Sequence, residues 1–130
     1  MIVVDASALV AMLLDEPERA AFFDVVSKAR ACLSPVGYWE AAIKLGRQRG
    51  PAGVAELDQL LADFDIRIVD ADHDVASRAI KAEREFGKRT AAGLNMGDCF
   101  AYALAKQLDA PLLYKGADFN RTDIQAALTA

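Results

Sequence analysis

One histidine, His73, and two cysteines, Cys32 and Cys99, are the only imidazole and thiol side chains among 130 residues. Two cysteines close at most one bridge, so no disulfide framework holds this chain together. Both lie in apolar stretches, where a free thiol packs as a small core residue, and this points to a reducing compartment. A single histidine cannot by itself supply both an acid and a base, and His73, in the polar DHD start of a helix, reads as surface. No apolar run approaches the ~20 residues of a membrane span, and no charged segment leads into a short apolar one as in an export signal. The expected location is the cytoplasm, with no membrane contact. Repeats, linkers and low-complexity stretches are also missing, so residues 1–130 are expected to form one domain.

What is present is 54% apolar and 26% charged residues, a globular composition slightly rich in apolar surface for this length, which suggests burial against a partner. The net charge of −4 argues against broad, sequence-blind affinity for nucleic acid, because that affinity comes from Lys and Arg neutralising phosphates. The distribution of charge says more than the sum. Lys44, Arg47 and Arg49 form one basic cluster, and Arg78, Lys81, Arg84, Lys88 and Arg89 a second. On a helix Lys81, Arg84 and Lys88 share a flank opposite Val75, Ala79, Ala82 and Phe86, a pattern that a solvated amphipathic helix also produces.

Along the chain, the β-branched run Ile2–Val4 reads as a buried strand and ALVAMLL as the helix after it. Pro17 is expected in the first turn of a second helix and ARACLS forms a second strand. Ser34-Pro35 caps a third helix that ends at Gly50-Pro51, placing Glu40 in its second turn. AGVAELDQLLADF is a fourth helix with Val54, Leu57, Leu61 and Phe64 on one face; IRIVD is a strand, ADHDVASRAIKAEREFG a helix, KRTAAGLNM a loop, GDCFAYALAKQLD a helix and PLLYKGADF a strand running into a turn. The alternation predicts an α/β domain, a largely parallel sheet of four to five strands flanked by helices. The helices carrying Phe22, Phe23, Val26, Leu57, Leu61 and Phe64 hold more apolar residues than one face needs, and are expected to dock a partner.

Acids mark the strand ends. Asp5 follows the first strand, Asp98 opens the GDCFAYALA helix and Asp118 follows LLYKG, with Glu40 aimed at the same rim. Each has an ordinary explanation: Asp5 as a helix cap, Glu40 as the i, i+4 partner of Lys44, Asp98 as a charge complementing the helix dipole, Asp118 as a turn former. Four carboxylates brought together instead repel one another unless protonated or joined by a cation. A donor set of oxygens without His or Cys suits Mg²⁺ or Mn²⁺, as one ion or as two about 3.5–4 Å apart. Such ions activate water and offset charge on a phosphodiester.

The stretches MIVVDASALVAMLLDEP, YWEAAIKLG, AGLNMGDCFAYALAK and LLYKGADFNRTDI resemble the PIN-domain ribonucleases, specifically the VapC toxins of bacterial toxin–antitoxin pairs, over essentially the whole chain. The resemblance implies a PIN fold, Mg²⁺- or Mn²⁺-dependent endoribonuclease activity that arrests translation, a homodimer, and silencing by a cognate VapB-like antitoxin. The family's acids carry over to Asp5, Glu40, Asp98 and Asp118, as catalytic and metal-binding residues. Ser7 matches the hydroxyl beside the first acid, Asn95 the polar residue before the third, and Asp123 an auxiliary acid; whether Asp118 or Asp123 lies nearer the metal stays open. Lys44, Arg47, Lys88 and Arg89 are the candidate RNA-binding residues.

Three other functions fit less well. A haloacid-dehalogenase-type phosphatase needs a second Asp where Ser7 stands. A phospho-receiver domain needs an acid at the end of a central strand, where GVAELDQLLADF is helical. A catalytically silent PIN-fold module that binds RNA or a partner would not need the full set of acids.

Overall fold

The apolar triplets Ile2–Val4 (β1) and Ala31–Leu33 (β2) are fully buried and pair in parallel, Ile2 opposite Ala31 and Val3 opposite Cys32, in a computed structural model that describes residues 1–128. Arg67–Ile68 (β3) adds to β2, and Leu112–Leu113 (β4) adds to the free side of β1, both parallel. The sheet is therefore four-stranded in the order β3-β2-β1-β4. A fifth strand shrinks to a single bridge, Leu112 to Ala126, where Leu112 N donates to Gln125 O and Ala127 N to Leu112 O.

Six helices surround this sheet in the described residues: Ala6–Leu13 (α1), Arg19–Lys28 (α2), Pro35–Arg49 (α3), Pro51–Asp63 (α4), His73–Phe86 (α5) and Met96–Leu108 (α6). Side chains alternate across the strands, and the alternation divides the core. Ile2, Val4, Leu33 and Leu113 pack with α1 to α4, while Val3, Cys32 and Leu112 pack with α5 and α6. Both cysteines are buried and free. His73 is exposed at the start of α5. No helix is long and apolar enough to cross a membrane among the described residues.

Two expectations are corrected. Pro17 lies ahead of α2, which starts at Arg19; the chain breaks at Asp15 in the left-handed region (φ 55°), and Arg19 Nε reaches back 2.9 Å to the Met12 carbonyl near the end of α1. The apolar residues assigned to a partner are mostly internal: Phe22, Val26, Leu57 and Leu61 are buried against the sheet, and Phe23 stacks on Phe64 with ring centroids 5.2 Å apart. A small domain needs two covered sheet faces, and α2 and α4 are consumed in covering one of them. The large apolar side chains left exposed are elsewhere, among them Trp39 (59% exposed) on α3, Ile80 on α5 and Met96 (64%) on α6.

Chain order places a crevice. The chain leaves β1 toward β2 and β3, then returns to add β4 on the opposite side, so the order reverses between β1 and β4. At such a switch point the segments leaving the strand ends diverge and open a cleft at the carboxyl rim.

Candidate active site

Asp5 stands at that rim, immediately after β1. It is 3% exposed and is the N-cap of α1, its Oδ2 accepting from Ser7 N at 3.0 Å and from the Ser7 hydroxyl at 2.6 Å. The Ser7 oxygen also accepts from Lys115 N at 3.0 Å, which ties the loop after β4 to the start of α1. Asp5 thus has two places at once: its Oδ2 closes the start of α1, and the residue lines the cleft.

The cleft is lined by Asp5, Ser7, Glu40, Asn95, Asp98 and Asp118, joined by the cations Lys44 and Lys115. Four separate stretches of chain deliver the acids. Ser34 caps α3, accepting from Val36 N at 3.1 Å, and α3 then carries Glu40 to the rim. Asn95 and Asp98 form a reciprocal capping box on α6, Asp98 N donating to Asn95 Oδ1 at 2.8 Å and Asn95 N to Asp98 Oδ2 at 3.0 Å. Asp118 opens a 3-10 turn, Asp118–Arg121, held by buried Phe119 against the Tyr114 ring and by Arg121, which donates to the Ala91 carbonyl at 2.6 Å.

These carboxyls feel one another. Burial, followed by the charges of Asp98 and Glu40, pushes Asp5 up to about 7 against the pull of its Ser7 hydrogen bonds. Glu40 is raised by burial and by Asp98, with Lys44 opposing. Asp98 is raised by burial and by the Asp118 charge, against the Asn95 N–H, Lys88 and Lys44. Asp5, Glu40 and Asp98 are thus each raised by burial and by the charge of at least one other acid lining the cleft.

The donor set fits a hard divalent cation: carboxylates and a hydroxyl, with no imidazole or thiolate lining the cleft. Among the described residues no group of three or more His, Cys, Asp or Glu side chains is arranged to hold a metal ion. Mg²⁺ usually takes only one or two carboxylates and completes its shell with water and substrate phosphate, so it does not require such a cage.

The remaining sequence candidates divide. Lys44 and Arg47 line a shallow groove beside the cleft with Trp39, Ile43 and Asn95. Lys88 lines a neighbouring apolar groove between α5 and α6, and its charge reaches Asp98. Arg89 is exposed and lines neither the cleft nor these grooves. Asp123 is not in the cleft: it accepts from the Tyr102 hydroxyl and from Lys106 Nζ, in a separate recess with Arg78 and Lys81. Lys115 was not singled out from sequence; its position directly after the LLY strand was the available signal.

The fold is thus a parallel α/β domain whose carboxyl rim gathers acids from four segments of chain. Residues 2–125 match the family model described as PIN domain, and the chain belongs to that family. It is 44% identical to a protein named Ribonuclease VapC from Mycolicibacterium smegmatis, covering 95% of this chain and 98% of that one. Its fold is shared by the Mycobacterium tuberculosis toxin VapC20, described as cleaving the sarcin-ricin loop (TM-score 0.78, 13% identity, 95% and 96% coverage). It is shared also by VapBC2 from Rickettsia felis, solved with a DNA fragment from the pair's promoter (TM-score 0.75, 16% identity, 97% and 96% coverage).

Proposed function

We propose that residues 1–130 act as one PIN unit, a Mg²⁺- or Mn²⁺-dependent endoribonuclease toxin that inhibits translation and is neutralised by a cognate VapB-like antitoxin. The observation that carries this reading is the convergence of Asp5, Glu40, Asp98 and Asp118, from four segments of chain, on one cleft. When bound by these acids, the cation supplies Lewis-acid activation of water and neutralisation of phosphate charge. Ser7 orients Asp5, and the capping box fixes Asp98 at the start of α6. Lys44 is exposed beside the acids without an ion-pair partner among the described residues, which leaves it free to meet a phosphate oxygen.

The names of the relatives support the ribonuclease activity, and the VapBC complex supports the antitoxin partner. Exposed Trp39, Ile80 and Met96 supply apolar surface for a homodimer, and the free buried thiols agree with a cytoplasmic location.

The test is cleavage of RNA by the purified protein in Mg²⁺ or Mn²⁺ and in chelator, with Asp5→Asn beside wild type. Metal-dependent cleavage that the variant loses is expected. RNA binding without cleavage would support the silent binding module instead.

A further inference from the structure

Gly97 is the second residue of α6, between Met96 and Asp98, and it is buried. Its backbone is not in the left-handed region, and glycine is a poor residue for a helix, so conformation does not explain it. Space does. A Cβ at position 97 would overlap Glu40 Oε2 and stand 2.8 Å from Glu40 Cδ and 3.3 Å from Oε1. The Glu40 carboxylate therefore sits where the missing side chain would be, against the first turn of α6 and next to Asp98, whose charge it feels.

The other crowded glycines differ. A Cβ at Gly53 would meet the Leu45 carbonyl oxygen at 2.5 Å, and one at Gly87 the Glu83 carbonyl, backbone atoms that cannot step aside. At Gly97 the obstacle is the end of a half-buried, rotatable side chain. A side chain there displaces Glu40 rather than the fold.

We propose that Gly97 is a positioning residue for the acidic cleft: its missing side chain forms the seat that holds the Glu40 carboxylate beside Asp98, and any larger residue turns Glu40 out. The inference rests on reading the cleft as a divalent-cation site, and gives that site a determinant that is neither acid nor ligand.

The experiment is calorimetric titration of Mn²⁺ into wild type, Gly97→Ala, Glu40→Gln and the double variant, with melting curves in chelator. Loss of a group that orients a metal ligand typically weakens binding about 10–100-fold, and Gly97→Ala is expected in that range. The double variant should bind no more weakly than Glu40→Gln, because position 97 acts only through Glu40. Wild-type affinity in Gly97→Ala, multiplied losses in the double variant, or a Glu40→Gln protein that binds as wild type does would each overturn the proposal. A wild type that binds no Mn²⁺ removes the cation reading and the proposal with it, and differs from the other failures because it appears before any substitution. If Gly97→Ala does not fold while Gly97→Ala/Glu40→Ala does, the clash is with Glu40, as proposed. If neither folds, something else fills that space and the proposal fails.

Discussion

The Ser7 hydroxyl holds Asp5 by a 2.6 Å hydrogen bond while accepting the Lys115 N–H at 3.0 Å, so its single proton is committed to the carboxylate. This bond is the largest force lowering the Asp5 pKa against burial. Ser7→Ala removes it, and Asp5 should then titrate above its value of about 7. In the metal-free protein the Asp5 carboxyl, followed by NMR, should titrate at higher pH in Ser7→Ala than in wild type, whereas Ser7→Thr should leave it in place. An unmoved titration in Ser7→Ala would show that Ser7 does not set the charge of Asp5. The lost hydrogen bond should also destabilise the protein by about 0.5–1.5 kcal/mol.

Asp5 makes stability depend on pH with a definite sign. Its folded pKa, about 7, lies above the ordinary aspartate value of 3.8, so between these values the native state holds a proton that the unfolded state has released. The metal-free protein should therefore lose stability as pH rises from about 4 to 7 and level off above that, by on the order of 4 kcal/mol if Asp5 acts alone. Asn is as good an N-cap as Asp, and its amide oxygen can accept both Ser7 bonds. Metal-free Asp5→Asn should gain on wild type in melting temperature between pH 5 and pH 8. Parallel curves for the two proteins across that range would count against an ionisation penalty at Asp5.

Much of this was legible in the sequence, because the strongest signals are local. Ile2–Val4 and Ala31–Leu33 are recognisable as buried strands, and Ser34-Pro35 and Gly50-Pro51 bound α3 as read. The four acids, in order, reach one cleft. What escaped depends on distance. The face of α2 and α4 looked like docking surface because a sequence does not show which helices cover which face of the sheet; Phe22, Leu57 and Leu61 went inward. The choice between Asp118 and Asp123 turned on a 3-10 turn that puts Asp118 on the rim and sends Asp123 to Tyr102. The crowding of Gly97 by Glu40 is invisible in the sequence, because the two residues lie far apart in the chain and meet only where α3 packs on the start of α6.

Asp98 carries two opposed contributions. As the third residue of α6 it closes a capping box and complements the helix dipole, worth about 0.3–1 kcal/mol, while its carboxyl is raised by burial and by Asp118. Replacement by Asn keeps an oxygen for the Asn95 N–H and removes the repulsion, so metal-free Asp98→Asn should melt close to wild type. Mg²⁺ at ten times its dissociation constant should then raise wild type by about 1.4 kcal/mol, or roughly 5 °C, and the variant by much less. Equal gains in both proteins would remove Asp98 from the ligand set.

The last prediction separates two acids only five positions apart. Asp118 lines the cleft and its charge reaches Asp98, whereas Asp123 is hydrogen-bonded by Tyr102 and Lys106, which hold its carboxyl below the usual carboxylate range. Asp123 contributes stability that is present above its unfolded pKa and is lost as pH falls through the lower folded value. Asp123→Asn should therefore cleave RNA at close to the wild-type rate. It should melt a few degrees lower near neutral pH, since a largely exposed pair and one hydrogen bond are worth about 1 kcal/mol, and the difference should narrow in acid. Asp118→Asn should show the reverse: a melting temperature near wild type, with activity down by more than the ~10–100-fold typical of outer-shell changes. Rates and melting curves for the two variants at pH 4 and pH 7.5 distinguish the roles. Full activity in Asp118→Asn together with loss in Asp123→Asn would move the fourth acid of the site to the Tyr102 recess.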